Sequence, residues 1–254
     1  MTRVVKIGGR SQGDPGLAPA LAAASQTGND AICVVHGGGD EVSAVQRRLG
    51  LEPLFIGGRR VTGTQDLEVV RMVLSGTINK RLVALLLGRG VRAVGISGED
   101  AMLFTAHATD ATTMGRVGGD VTVDPGIVLQ LLAGGYVPVI SPLARDADDR
   151  AGSGLNVNGD DAAAALAVSL EADELLLVAD VPGVLDGASL IPSLDAERAG
   201  SLIASGVAAG GMAAKLEAAL AALAAGVARV RIAGLDGIGD PAAGTRIVLS
   251  PSPV

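Results

Sequence analysis

Arg3-Val4-Val5-Lys6-Ile7-Gly8-Gly9 is a short apolar run that ends on a glycine pair, with a lysine beside the turn. A β-branched run of this length reads as a buried strand. Glycine adopts positive φ without a Cβ penalty, so consecutive backbone N–H groups at such a turn can converge on an anion. The pattern then recurs: residues 31–35 form a second apolar run, closed by His36-Gly37-Gly38-Gly39. Two glycine-rich turns at successive strand ends predict a phosphate site, to which a following helix adds its N-terminal dipole.

Further apolar runs lie at residues 93–97, 137–141, 174–179, 230–233 and 245–249, and most are separated by Ala/Leu-rich segments with helical spacing. Leu216, Leu220 and Leu223 mark one such stripe, and residues 67–87 are long enough for one helix, or two broken near Gly76. Strands alternating with helices predict an α/β fold whose mainly parallel central sheet is covered on both faces. Residues 103–123 depart from this rhythm: Thr, Val and Gly alternate with polar residues, which predicts β-hairpins projecting from the main sheet. The charged, then glycine-rich residues 144–154 read as a surface loop. No linker or internal repeat divides residues 1–254, and the Pro251-Ser252-Pro253 end is the sole low-complexity tail.

The 254 residues are 48% hydrophobic, enough for a large core, yet they include two Phe, one Tyr and no Trp. This composition argues against aromatic stacking platforms for bases, and the expected base-binding surface is aliphatic. A net charge of −7 argues against a broad nucleic-acid or anionic-membrane footprint and leaves room for a local cationic pocket, so the expected partners are small molecules. The lone Cys33 lies within an apolar run and reads as a buried side chain, and one cysteine supports neither a disulfide nor a zinc framework within the chain. The N-terminus enters directly on a strand, and no apolar run approaches the roughly 20 residues that span a bilayer. The expectation is a soluble cytoplasmic protein.

Asn156-Val157-Asn158-Gly159-Asp160 precedes an Ala-rich helix at residues 161–170. Asn and Asp are ordinary helix N-caps, but two asparagines with two acids exceed a cap's needs, and an amide can donate to a carboxylate or phosphate. Gly210-Gly211-Met212-Ala213-Ala214-Lys215 places one of only three lysines in a helix's first turn. There the macrodipole disfavours a cation unless an anion is near. Gly58-Arg59-Arg60-Val61-Thr62-Gly63 offers a guanidinium able to hold a carboxylate by two hydrogen bonds. Asp180-Val181-Pro182-Gly183-Val184-Leu185 follows an apolar strand, either as a plain turn or as an aliphatic face for adenine. Three other motifs lack their context. Gly237-Ile238-Gly239-Asp240-Pro241-Ala242 matches a dinucleotide pattern with no room for a βαβ unit. His36 with three glycines lacks a G-x-S-x-G partner, and no GxxxxGK[ST] loop occurs.

In order along the chain, Lys6-Ile7-Gly8-Gly9, His36-Gly37-Gly38-Gly39, Gly58-Arg59-Arg60-Val61-Thr62, Gly76-Thr77-Ile78-Asn79-Lys80, the segments beginning at Asn156 and Asp180, Gly211-Met212-Ala213-Ala214-Lys215 and Gly244-Thr245 resemble the amino acid kinase family over nearly the whole sequence. The resemblance is greatest to the branch that phosphorylates N-acetyl-L-glutamate. It implies a three-layer αβα sandwich, a homodimer, and transfer of the ATP γ-phosphoryl group to the side-chain carboxylate of that acid, with Mg2+ held mainly by the nucleotide and no dedicated metal ligands. On this resemblance Lys6 and Lys215 flank the transferring group and Asp160 holds them. Gly8, Gly9 and Gly38 donate to phosphate oxygens, and Gly38, Gly39, Arg60, Asn156 and Asn158 hold the acylated acid. Adenosine rests on Asp180, Val181, Gly183, Val184 and Leu185 and on the segment with Ala209, Gly210 and Gly211. The acid-binding lobe covers about residues 1–155 and the nucleotide lobe about 156–254. Gly159 departs from the alanine usual in the family, and Gly63 falls where it varies. The chain lacks the extra N-terminal helix of arginine-inhibited hexameric relatives, which implies a dimer insensitive to arginine. Kindred acceptors under the same resemblance are N-acetyl- or carrier-linked 2-aminoadipate and N-succinylglutamate; a non-catalytic sensor of the same fold is the alternative of a different class.

Overall fold

The computed structural model describes residues 1–26, 30–149 and 152–249, so the Pro251-Ser252-Pro253 tail lies outside it. Eight strands pair in the order Ser193–Leu194, Thr245–Ile247, Val230–Ala233, Glu174–Val178, Thr2–Ile7, Ala31–His36, Val137–Ser141 and Ala93–Ser97. All these neighbours are parallel except Thr245–Ile247 against Val230–Ala233. The first strand is central, with Lys6 opposite Val35 on one side and Leu177 on the other.

Side chains alternate across a strand, and this alternation builds the two outer layers. Val4, Cys33, Val35, Leu175 and Leu177 face a core shared with the helices Gly159–Ser169 and Gly211–Ala224. Val5, Ile7, Ile32, Val34, Leu176 and Val178 face the opposite core, formed with the helices Leu17–Gln26, Gly39–Arg48 and Thr64–Arg71 and their successors. Lys6 has the parity of Val4, so its side chain emerges on the side of the Gly159 and Gly211 helices. Cys33 is fully buried, and burial pushes its thiol up to about 12.

Two segments correct the sequence reading, and a third settles an alternative it left open. Residues 67–87 are one continuous helix rather than two broken at Gly76: Thr64–Arg71 passes through the π-helical Met72–Ile78 into Asn79–Leu87. Leu74, Ile78, Leu82 and Leu86 are buried at intervals of four, a wider repeat than the 3.6 residues of an α-helix. Residues 103–123 do contain a hairpin, Phe104–Ala108 against Val117–Val123, but it closes into a four-stranded barrel with Leu143–Asp146 and Gly154–Val157. Residues 144–154, read as a loop, thus supply parts of two strands. Ala144 and Leu155 point into the barrel core, while Arg145 and the acids around it mask the alternation. Short hairpins also project at Phe55–Ile56 with Arg59–Arg60 and at Leu185–Asp186 with Ser189–Leu190.

Candidate active site

Ligands of open α/β sheets bind beyond the carboxyl ends of the strands. The first strand ends at Ile7, the second at His36 and the neighbouring Glu174–Val178 at Val178, and beyond them lies a cavity of about 380 Å³. Three helices begin on its wall, at Gly39, Gly159 and Gly211. Their first-turn N–H groups and dipoles make this end of the sheet attractive to anions. The turns at Gly8-Gly9 and Gly38-Gly39 lie backbone to backbone, since a Cβ on Gly9 would sit 3.4 Å from Gly38 Cα and 3.5 Å from Gly38 N. The backbone N–H groups of Gly8, Gly9, Gly38 and Gly39 have no acceptor among the described residues, although all four residues line the cavity. Gly38 is buried, where an N–H left without a partner is rare, and with the more open Gly8, Gly9 and Gly39 beside it the cradle fits a polyanion.

The cavity's charges come from three elements. Lys6 Nζ lies 2.7 Å from Asp160 Oδ1, and Lys215 Nζ lies 3.2 and 3.3 Å from Oδ1 and Oδ2 of the same carboxylate. All three side chains are buried. Burial alone would raise the Asp160 carboxyl, but the two ammonium groups outweigh it and hold the group below the usual carboxylate range. Burial pushes Lys215 down to about 8, with repulsion from Lys6 adding to the effect and Asp160 opposing it. One carboxylate facing two ammonium groups leaves local positive charge, which suits a bound anion.

Arg60 stands on the other side, on its two-residue strand. Its guanidinium donates to Gly39 O at 2.7 Å, to Ser43 Oγ at 2.8 Å and to Gln46 Oε1, and it stacks over Phe55 with Cζ 4.7 Å from the ring centre. Two of the five guanidinium donors remain for a carboxylate. Asn156 lies on a barrel strand rather than at a helix entrance, and its Nδ2 donates to Thr62 Oγ1 at 3.0 Å. Asn158 is the N-cap: its Oδ1 accepts from Asp160 N at 2.8 Å and Asp161 N at 3.4 Å. Asp160 therefore sits in the first turn of the helix, which begins at Gly159 rather than at residue 161. Gly159 faces Lys6, where a Cβ would lie 3.2 Å from Lys6 Cε.

A smaller recess of about 290 Å³ continues from the cavity, lined by Gly8, Gly9, Arg10, Asp40, Asp180, Gly211 and Lys215. Arg10 bridges its mouth, 3.1 Å from Asp180 and 3.5 Å from Asp40. The hydrogen bond from Arg10 holds the Asp180 carboxyl below its ordinary range. Of the expected adenosine residues, Asp180 and Gly211 reach these cavities, whereas Val181, Gly183, Val184, Leu185, Ala209 and Gly210 line neither. The Val184 side chain is in the core and its N–H donates to Thr245 Oγ1 at 2.8 Å. Among the described residues no cluster of three or more His, Cys, Asp or Glu is arranged around a common metal position. A larger groove of about 910 Å³ runs between the barrel and the Gly159 and Gly211 helices. It is mainly aliphatic and contains none of the lysines, so the smaller cavity is the site with the chemistry. The sequence reading passed over Gln12, Ser43 and Gln46 and quoted Asn79 only within a motif, without a role; all four are buried polar residues around the glycine turns.

The family model described as the amino acid kinase family matches residues 1–234. An acetylglutamate kinase of Chloroflexus aurantiacus is 42% identical over 245 residues, covering 96% of this chain and 95% of its own length. Among solved structures, smu.665 from Streptococcus mutans superposes with a TM-score of 0.86 at 27% identity, over 97% of this chain and 98% of that one. N-acetylglutamate synthase from Neisseria gonorrhoeae, complexed with coenzyme A and N-acetyl-glutamate, gives 0.81 at 27% identity, over 99% of this chain and 60% of that longer one. No helix among the described residues is long and apolar enough to cross a membrane.

Proposed function

The chain belongs to the amino acid kinase family, and on that footing we propose that it transfers the γ-phosphoryl group of ATP to the side-chain carboxylate of N-acetyl-L-glutamate, a step of arginine biosynthesis. The observation that carries the reading is the buried Lys6–Asp160–Lys215 cluster beside four glycine N–H groups that have no acceptor among the described residues. The N-acetyl-glutamate held by the Neisseria synthase is of the same chemistry as the acceptor.

The acceptor carboxylate is already a nucleophile at pH 7, so no strong general base is needed. An oxygen–phosphorus bond forms as the bond from the γ-phosphorus to the β-phosphate oxygen breaks, leaving an acyl phosphate and ADP. The obstacle is electrostatic, because a carboxylate must approach a polyphosphate. Lys6 and Lys215 neutralise the transferring group from either side, and Asp160 keeps the two ammonium groups in place. Gly8, Gly9 and Gly38 donate to phosphate oxygens through preorganised N–H groups. Arg60, Asn156, Gly38 and Gly39 hold the acylated acid, with Asn158 fixing the helix entrance beside it. The nucleotide brings its Mg2+ with it, which adds positive charge at the phosphates; Asp160, engaged by two lysines, is not free to ligate it. The adenosine lies on the side of Asp180 and Gly211. We take the protein to act in the cytoplasm as a homodimer.

ADP release with Mg·ATP and N-acetyl-L-glutamate, in the presence of hydroxylamine, tests this directly. Acid-dependent turnover with hydroxamate formation is expected. Equal or faster turnover on N-acetyl-L-2-aminoadipate or N-succinyl-L-glutamate would reassign the acceptor, and ATP binding without turnover on any of them would refute the acetylglutamate assignment in favour of a carrier-linked acceptor or a non-catalytic sensor.

A further inference from the structure

The Gly76-Thr77-Ile78-Asn79-Lys80 motif has no role in the reaction described above, yet Asn79 is wholly buried within reach of the catalytic turns. Its Nδ2 donates to Val139 O at 2.8 Å and lies 3.2 Å from His36 Nε2, and its Oδ1 accepts from Lys80 Nζ at 3.1 Å. These contacts fix which way the amide points. A carbonyl can only accept, and His36 Nδ1 lies 3.0 Å from Gly37 O. His36 therefore carries its proton on Nδ1 and receives Asn79 at Nε2. A protonated imidazole would set donor against donor at Asn79. Burial keeps the ring neutral by pushing His36 down to about 4, although the bond to Gly37 opposes that shift.

Gly37 O also accepts from Gln12 Nε2 at 2.8 Å. The Gly37 carbonyl and the Gly38 N–H belong to one planar trans peptide, in which C=O and N–H point in opposite directions. Two donors holding the carbonyl on the buried side thus aim the Gly38 N–H the other way, into the site. Gly38 has φ +151°, and a Cβ there would lie 2.1 Å from Ile78 Cδ1, so only glycine fits. Glycine also offers little resistance of its own to rotation of the peptide. A flipped peptide would present a carbonyl to the incoming anion.

We propose that His36, Gln12 and Asn79 are positioning residues that lock the Gly37–Gly38 peptide with its N–H turned toward the transferring phosphoryl group. The proposal rests on the phosphotransfer reading for its effect on rate, but its geometry stands apart from it. In this arrangement Asn79 holds His36, and His36 and Gln12 hold the peptide. The Gly38 donor is set before substrates arrive and needs no reorganisation in the transition state.

An asparagine side chain can place its amide nitrogen where imidazole Nδ1 lies, and glutamine where Nε2 lies, so the two substitutions separate the bond to Gly37 from packing. His36→Asn is expected to keep kcat within about threefold, while His36→Gln lowers it by about 10², the order lost with one oxyanion donor. ATP affinity by calorimetry should change less than about threefold in both. Equal losses in the two variants would reduce His36 to packing and overturn the proposal, as would undiminished kcat in His36→Gln. Nitrogen-15 NMR of the wild-type protein at pH 7 checks the clamp without turnover: the buried imidazole should show a protonated Nδ1 and a bare Nε2. The opposite tautomer, or an imidazolium, would refute it. Absence of acid-dependent turnover in the wild type would instead refute the kinase reading and leave the tautomer result standing.

Discussion

Replacing Asp160 by asparagine removes the one negative charge between two buried ammonium groups while nearly preserving shape. Lys215 Nζ lies 3.2 Å from Oδ1, where opposite unit charges at an effective dielectric constant of about 20 attract by roughly 5 kcal/mol. Lys215 is down at about 8 even with this attraction opposing burial and the repulsion from Lys6, so with the carboxylate gone it is the group that releases its proton. At about 1.4 kcal/mol per pH unit, the loss of even half of that attraction moves its titration about two units down, to near pH 6. At pH 7.5 roughly one molecule in thirty would then keep the second cation. The acid-dependent kcat at that pH should fall at least about 30-fold, and by about 10²–10³ if Lys6 also loses its position. Activity should recover about tenfold per unit as the pH is lowered toward 6. The assay is the pH profile of acid-dependent ADP release by the two proteins, with circular dichroism confirming that the variant is folded. A profile for Asp160→Asn that superposes on the wild type, or a kcat within threefold of it at pH 7.5, would refute the assignment of Asp160 as the group that keeps both lysines charged.

Two further outcomes follow from other charges. Because Lys215 in the free protein titrates near 8 and its charged form is the useful one, kcat/KM for ATP should be flat below that pH and fall about tenfold per unit above it. Lys215→Arg, which stays charged, should lose this alkaline limb whatever its absolute rate, and a limb that survives would belong to another group. At the opposite end of the sheet, Glu174 is 1% exposed and accepts from Arg3 Nε and Arg231 Nε, each at 2.7 Å. Glu174→Gln leaves these guanidinium groups without their counter-charge, which should lower unfolding stability by about 3–5 kcal/mol in urea titrations. KM values should hold, because the site lies beyond the strands' other ends; a loss below about 1 kcal/mol would show that water already screens the cluster.

The parts of the site that were legible in the sequence are those whose signals are local. A lysine two residues after Val4 shares its strand face, so Lys6 had to emerge where the helices of Asp160 and Lys215 pack, once strand and helix were recognised. Glycines at strand ends announced the turns for the same reason: their purpose is written in a backbone conformation other residues avoid. What escaped were pairings between distant segments that look unremarkable in each. Residues 144–154 hide two strand segments because Ala144 is small, Asp146 is a buried acid two residues on, and Gly154 has no side chain where Arg71 and Glu99 approach, so no hydrophobic alternation survives. The clamp behind Gly38 was hidden differently. Asn79 lies on the same helix face as the buried Leu82 and Leu86, but a polar residue at such a position carries no apolar signal that marks it as inward-facing. One trace was available. Gly95 interrupts an otherwise ordinary edge strand, and a glycine inside a strand marks close approach by another group. That group is Asn79, whose Oδ1 would lie 1.9 Å from a Cβ at Gly95. Gly95→Ala should therefore act on the clamp as a displaced Asn79 would, weakening its hold on His36 and lowering kcat more than it weakens ATP binding. An alanine variant with full turnover and an unchanged His36 nitrogen spectrum would show that Asn79 can move without disturbing the turn.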